Sequence, residues 1–234
     1  MRTIIWFIYF WLYQLAVLPK YFLLRSKFNK GQDISVSVHK EVVRWARSLV
    51  KLTGSKIEVI GEENIPDEGP IVFVANHQSN FDIPLLLGYI KRPKGFIAKK
   101  ETEKMPIVGG WMRFLKCIFM DRTSPRAALK SIKEGISIVK DGYALVIFPE
   151  GTRSLDGKLN EFKAGSFKLA TKAEAKIIPI TIDGSIDIMR KGSSKIKPAH
   201  VKLIVSEPVS STKYESADSY LLREEVYNII ASKM

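Results

Sequence analysis

Asn76-His77-Gln78-Ser79-Asn80-Phe81-Asp82 stands directly after a short apolar run, residues 71–75. Histidine is the side chain whose neutral ring takes up a proton near pH 7, and a carboxylate bonded to one ring nitrogen leaves the other as a base. On one continuous helix, residues five apart point about 140° away from each other. His77 and Asp82 therefore meet only if His77 precedes the helix and Asp82 folds back onto the ring. The sequence starts that helix near Asn80, with Pro84 in its first turn. The arrangement is the orienting half of a catalytic triad without a serine nucleophile. The plainer alternative makes Asp82 a helix-dipole partner and His77 an ordinary loop residue.

Phe148-Pro149-Glu150-Gly151-Thr152-Arg153-Ser154 also follows an apolar run. Gly151 permits close backbone approach, and Thr152, Arg153 and Ser154 cluster donors suited to a phosphate. Lys99-Lys100 and Asp121-Arg122 end two further runs, so basic residues at three run ends have the means to converge on one anion. Standing apart, they are a tight turn and solvated charges. The single cysteine, Cys117, excludes a disulfide framework, and its apolar surroundings make it core rather than nucleophile. His39, His77 and His200 show no ligand-pair spacing, so no metal site is expected.

These residues need a frame. Short β-rich apolar runs at 57–60, 71–75, 95–99, 117–120, 145–148, 177–182 and 201–205 alternate with helical patterns at 83–90, 125–140, 167–175 and 217–233. Ser124 and Pro125 open the 125–140 helix and Asp141-Gly142 stops it. The alternation predicts a single α/β domain over residues 55–234, with a mostly parallel or mixed central sheet flanked by helices and its site where strands end. With 234 residues and 46% hydrophobic content, the chain has the material for one full core. A disordered chain is excluded on that ground, and a polytopic membrane protein because only one stretch approaches a span.

The formal charge of +13 is unevenly placed. Residues 1–60 carry ten Lys/Arg against three Asp/Glu, and residues 1–28 hold nine of the 24 aromatics. Aromatics packed among Ile and Leu come first and the cations follow. That order suits a lipid surface better than the interleaved stacking platform of a nucleic-acid binder. Residues 4–18 are apolar except for Gln14, and fifteen helical residues reach about 22 Å against a hydrocarbon core of roughly 30 Å. Continuing to Leu24 carries Pro19 and Lys20 inside, and no small-residue cleavage site follows. Residues 1–54 are therefore expected to be membrane-associating helices, with 4–24 an uncleaved anchor lying in one leaflet. A tilted single span and a buried core helix are the alternatives. Residues 37–53 form an amphipathic pattern, with Val38, Val42, Trp45, Leu49 and Leu52 on one stripe. Lys40, Arg44, Arg47 and Lys51 lie on another, suited to anionic phospholipid headgroups or to a solvated face.

Taken in order, these blocks resemble the glycerophospholipid acyltransferase family, above all its bacterial members that act on 1-acylglycerol 3-phosphate (lysophosphatidate). The family's N-H-x-x-x-x-D block is similar to Asn76 through Asp82, and its block ending F-x-D-R to Phe119 through Arg122. Its E-G-T-R-S block is similar to Glu150 through Ser154, its apolar-Pro-apolar block to Ile178-Pro179-Ile180, and its F-K-x-G stretch to Phe162-Lys163-Ala164-Gly165. The resemblance implies transfer of an acyl chain from acyl-CoA or acyl carrier protein to the free sn-2 hydroxyl of lysophosphatidate, giving phosphatidic acid for phospholipid synthesis. It assigns His77 as the general base and Asp82 as its partner. Lys99, Lys100, Arg122, Gly151, Thr152 and Arg153 fall to the acceptor's phosphate and glycerol, and Glu150 lies in the same acceptor-binding block, where it either contacts the glycerol or braces the loop. No cofactor or metal is implied beyond the acyl co-substrate. The implied location is the inner (cytoplasmic) membrane with the catalytic domain cytoplasmic, the side to which Lys20, Arg25, Lys27 and Lys30 also point. Glycerol 3-phosphate or another lysolipid is the alternative acceptor, and a non-catalytic basic protein binding membrane or nucleic acid is the alternative class. One departure stands out: the family's second block opens with glycine where this chain has Lys116, so altered backbone geometry and a cation near the site are expected there.

Overall fold

Ile71-Val72-Phe73-Val74-Ala75 is buried at every position, as happens in a strand only when both faces of its sheet are covered. In the computed structural model of the chain, which describes residues 1–121, 124–214 and 219–234, this strand is the centre of a mixed sheet. The elements run α1 (Arg2–Ala16), α2 (Leu18–Asn29), α3 (Ser35–Thr53), β1 (Lys56–Ile60), β2 (Ile71–Ala75), α4 (Asp82–Tyr89), β3 (Lys94–Lys99), α5 (Val108–Phe114) and β4 (Ile118–Met120). They continue with α6 (Pro125–Lys140), β5 (Ala144–Ile147), α7 (Lys168–Ala173), β6 (Lys176–Asp183), α8 (Ser185–Ile188), β7 (His200–Val205), β8 (Val209–Ser210) and α9 (Ser219–Ala231).

The strand order is β1-β7-β6-β2-β5-β3-β4, with β8 beside β6. Strands β2, β3, β4, β5 and β6 are parallel, while β7 and β8 pair antiparallel to β6. Each predicted apolar run is a strand, with small differences at the ends. The alternation along β2 splits the core: Ile71, Phe73 and Ala75 face a layer that includes α3 and α4, while Val72 and Val74 face one that includes α7 and α9. Ser124 caps α6 as predicted, its hydroxyl accepting from the Ala127 N–H at 3.2 Å. Residues 217 and 218 of the last predicted helix lie outside the described residues.

The N-terminal helices are core on one side and exposed on the other. Trp6, Tyr21 and Leu24 are buried in the same cluster as β2, and the Trp6 indole N–H donates to the Leu49 carbonyl at 2.9 Å. Glu41 of α3, itself buried, accepts from the Tyr13 hydroxyl at 2.7 Å and the Lys20 ammonium at 2.5 Å, tying the three helices together. On the outer side Ile4, Ile5, Ile8, Trp11, Leu12 and Leu15 form one exposed apolar face of α1. Among the described residues no single helix is long and apolar enough to cross a membrane. The pair α1 and α2 has the length and composition, but it bends by 48° at the junction.

All four cations of the basic stripe expected on α3 are exposed, and two of them also bond within the protein. Arg47 lies against α4, where its Nε donates to the Gly88 carbonyl at 2.6 Å, and Arg44 reaches Glu41 at 3.5 Å. Lys40 and Lys51 are exposed without such bonds among the described residues. The stem of Arg47 lies along α4 because α3 and α4 pack closely: a Cβ on Gly88 would lie 3.1 Å from the Arg47 Cγ.

Candidate active site

Because five strands run parallel, their C-terminal ends share one edge of the sheet, the edge at which open α/β sheets bind ligands. His77 leaves β2 there under several restraints. Asn76, buried just before it, donates to the Ile182 carbonyl at 2.8 Å and accepts from the Ile182 N–H at 2.7 Å, extending the pairing with β6 through a side chain. The His77 N–H donates to Glu150 Oε1 at 2.6 Å, and its carbonyl accepts from the Ser154 N–H at 2.8 Å. The ring stacks on Phe148, with centroids 4.1 Å apart and planes 16° from parallel.

His77 Nδ1 lies 2.7 Å from Asp82 Oδ2, so the fold-back expected from the spacing is present. Asp82 opens α4 and is fully buried. Its Oδ2 also accepts from the N–H groups of Gln78 at 2.7 Å and Ser79 at 2.9 Å, and its Oδ1 accepts from the Ser185 hydroxyl at 2.5 Å. Four donors on two oxygens suit a carboxylate that only accepts, which puts the ring hydrogen on Nδ1 and leaves Nε2 as the basic nitrogen. The His77 side chain keeps 17% of its surface open, enough to admit a substrate atom beside a fully enclosed partner.

Glu150 does not face a ligand. It is buried, and beyond the His77 N–H it accepts at Oε2 from the Asn160 N–H at 3.0 Å and the Asn160 side-chain amide at 2.6 Å. Burial raises its carboxyl above the ordinary value, against the opposing pull of the His77 and Asn160 donors. Of the two roles open to Glu150, these contacts are those of a brace: both oxygens accept from His77 and Asn160. Gly151 has φ +70°, a left-handed conformation that favours glycine, and the flexible Lys163 side chain ends 2.9 Å from where a Cβ would be. Thr152 is exposed, and its hydroxyl accepts from the Lys191 ammonium at 3.0 Å. Arg153 is half-buried, and its guanidinium makes no ion pair among the described residues.

The other predicted cations divide. Lys99 is exposed at the end of β3, on the site's edge of the sheet. Lys100 turns to Glu103 at 2.7 Å, a carboxylate that Arg113 also reaches, so an ion pair competes with any anion there. Arg122 lies outside the described residues. Lys116 precedes β4, at the opposite end of that strand from the site, with φ +50° and its ammonium 5.0 Å from the Tyr143 ring. The position asks for a left-handed backbone, which is why glycine suits it, and the cation expected near the site is absent from that edge. Cys117 is buried; its thiol is pushed up to about 12 by burial, consistent with a core role. Sequence reasoning missed Asn160, Ser185 and Lys191. Their partners are remote in the chain and no local spacing announces them.

At this edge a histidine held by a buried carboxylate is bonded through its own backbone to an arginine-bearing loop. The Acyltransferase family model matches residues 56–183, and the chain belongs to this family. It is similar to a 1-acyl-sn-glycerol-3-phosphate acyltransferase of Chlamydomonas reinhardtii, 38% identical over 161 residues, covering 68% of this chain and 48% of the algal one. A probable 1-acyl-sn-glycerol-3-phosphate acyltransferase of Mycoplasma genitalium is 31% identical over 205 residues, covering 82% of this chain and 75% of that one. The chain thus spans about half the length of the algal relative and three quarters of the mycoplasmal one. The crystal structure of the 1-acyl-sn-glycerophosphate (LPA) acyltransferase PlsC from Thermotoga maritima superimposes with a TM-score of 0.83 at 32% identity, covering 100% of this chain and 96% of that one.

Proposed function

We propose that the chain transfers an acyl group from a thioester directly to the sn-2 hydroxyl of 1-acylglycerol 3-phosphate, giving phosphatidic acid. The acceptor hydroxyl donates to His77 Nε2. As its oxygen attacks the thioester carbonyl, the proton passes to Nε2, and Asp82 stabilises the imidazolium that forms. Collapse of the tetrahedral intermediate breaks the carbon–sulfur bond, and the departing thiolate recovers the proton from the ring. Arg153 binds the acceptor phosphate, with Lys99 at the same edge. The donor is an acyl group on coenzyme A or on acyl carrier protein.

The observation that carries this reading is the union of base and anion loop. His77 and residues 150–154 are bonded to each other through Glu150 and the Ser154 N–H, so the hydroxyl-activating atom and the arginine are fixed in one frame. The exposed apolar face of α1 supports docking at the cytoplasmic leaflet, where an amphiphilic acceptor resides. The test is thiol release from an acyl-coenzyme A with lysophosphatidate or glycerol 3-phosphate in mixed micelles. Release with lysophosphatidate that vanishes in His77→Ala supports the reading. Release only with glycerol 3-phosphate moves the acceptor, and release undiminished in His77→Ala overturns the base.

A further inference from the structure

Residues 184–191 begin where the family match ends, and none of the blocks read from the sequence includes them. Gly184 turns the chain out of β6 with φ +84°, and a Cβ there would lie 2.3 Å from the His200 carbonyl oxygen, so only glycine makes this turn. The turn delivers Ser185, fully buried, whose hydroxyl donates to Asp82 Oδ1. Further along, the Met189 carbonyl accepts from the Ser79 hydroxyl at 2.8 Å. Lys191 follows, half-buried, with its ammonium donating to the Thr152 hydroxyl and to the Arg153 carbonyl, each at 3.0 Å.

One short segment therefore touches the histidine's carboxylate at its start and the arginine loop at its end. Asp82 already spends Oδ2 on the His77 ring and two backbone donors. The hydroxyl on Oδ1 is what keeps the carboxylate plane from turning. Both acceptors of Lys191 are neutral oxygens, and it makes no ion pair among the described residues. Its charge stands unneutralised beside Arg153, an arrangement that a dianionic phosphate monoester completes.

We propose that residues 184–191 are a working part of the active site: Ser185 positions Asp82 for His77, and Lys191 holds the Arg153 loop and adds a second cation for the acceptor phosphate. The inference rests on the function proposed above. Wild type, Ser185→Ala, Ser185→Cys and Lys191→Ala are compared in the thiol-release assay with lysophosphatidate in mixed micelles, with melting temperatures alongside. Ser185→Ala lowers kcat about tenfold at unchanged acceptor KM, and Ser185→Cys, similar in size but a weaker donor, falls between. Lys191→Ala raises acceptor KM about tenfold with kcat kept. A segment that only packs would give both alanine variants the same mixed loss, tracking melting temperature, and that result overturns the proposal. A wild-type kcat in Ser185→Ala or a wild-type acceptor KM in Lys191→Ala overturns it too. Wild type that acylates nothing from either acyl-coenzyme A or acylated acyl carrier protein, or a fully active His77→Ala, brings down the functional reading and this proposal together. A dead His77→Ala beside unaltered Ser185 and Lys191 variants brings down this proposal alone.

Discussion

Glu150→Gln separates a bracing role from a substrate-binding one. The glutamine oxygen can still accept from the His77 N–H, but its amide then points at Asn160. The Asn160 side chain can flip to present its oxygen, whereas the Asn160 backbone N–H has no such freedom and loses its acceptor. One buried unpaired donor costs about 1–3 kcal/mol, which for a chain of this length lowers Tm by roughly 2–12 °C. The charge works partly the other way, since burial raises the Glu150 carboxyl. A raised carboxyl contributes stability in full below the ordinary carboxylate value and loses it as pH rises through the raised one. Glutamine lacks that titration, so the Tm gap between wild type and variant narrows over the same window. In activity, the loosened His77 backbone lowers kcat, while acceptor KM stays within a factor of about two because no substrate contact is removed. Calorimetric melting at pH 5 and pH 8, with steady-state kinetics varied in lysophosphatidate, provides the readout. An unchanged Tm together with a tenfold rise in acceptor KM would refute the bracing argument and return Glu150 to the substrate.

The remaining predictions are more direct. His77→Ala loses roughly 10²–10⁴ in kcat with Tm preserved, as removal of a positioned general base requires. Arg153→Ala raises acceptor KM about 10–100-fold, the loss of a charge-assisted phosphate contact, and Arg153→Lys costs less because charge survives while the fork is lost. Equal KM values for wild type and Arg153→Ala would remove the phosphate assignment. Ile8→Asp/Leu12→Asp, on the exposed face of α1, lowers binding to anionic vesicles by a factor of about 100 or more, since each inserted side chain is worth about 1.5–3 kcal/mol. Flotation equal to wild type would rule out that face as the docking surface. Deletion of residues 1–28 is a poorer test, because it also removes Trp6, Tyr21 and Leu24 from the core.

What was legible in the sequence follows the range of the interactions involved. Strands such as β2 and β6 announce themselves through branched apolar runs, and α6 through a cap, a proline and a stop. Helices α5 and α8 do not. Two adjacent glycines weaken the helical signal of α5, and one of them makes room for a remote contact: Tyr21 packs over Gly110, where a Cβ would lie 2.2 Å from the phenol oxygen. The His77–Asp82 pair was readable because five residues and a helix start suffice to bring it together. For Glu150 a bracing role was one of two open readings, but its donors at positions 77 and 160 were not readable, since only the folded sheet edge joins them. Helical spacing placed Arg47 on the exposed basic face, where it lies, but not its bond to the Gly88 carbonyl, which depends on packing against α4.

The distribution of polar contacts explains why the chain carries two buried carboxylates at the sheet edge. An isolated buried carboxylate is costly, and each one here is stabilised by donors that come mostly from backbone N–H groups or from short side chains. Such donors have little freedom to reorganise when charge moves. Asp82 is therefore oriented before any substrate arrives, and imidazolium formation at His77 requires no rearrangement of its partner. Lys163 and Lys191, by contrast, approach the 150–154 loop on flexible stems, and Arg153 carries no ion pair among the described residues. In the proposed reaction, rigid partners hold the ring that would take the proton, and adaptable cations lie by the loop that would bind the acceptor phosphate. That division predicts a kinetic one: substitutions around Asp82 act on kcat, and those around Arg153 act on acceptor KM.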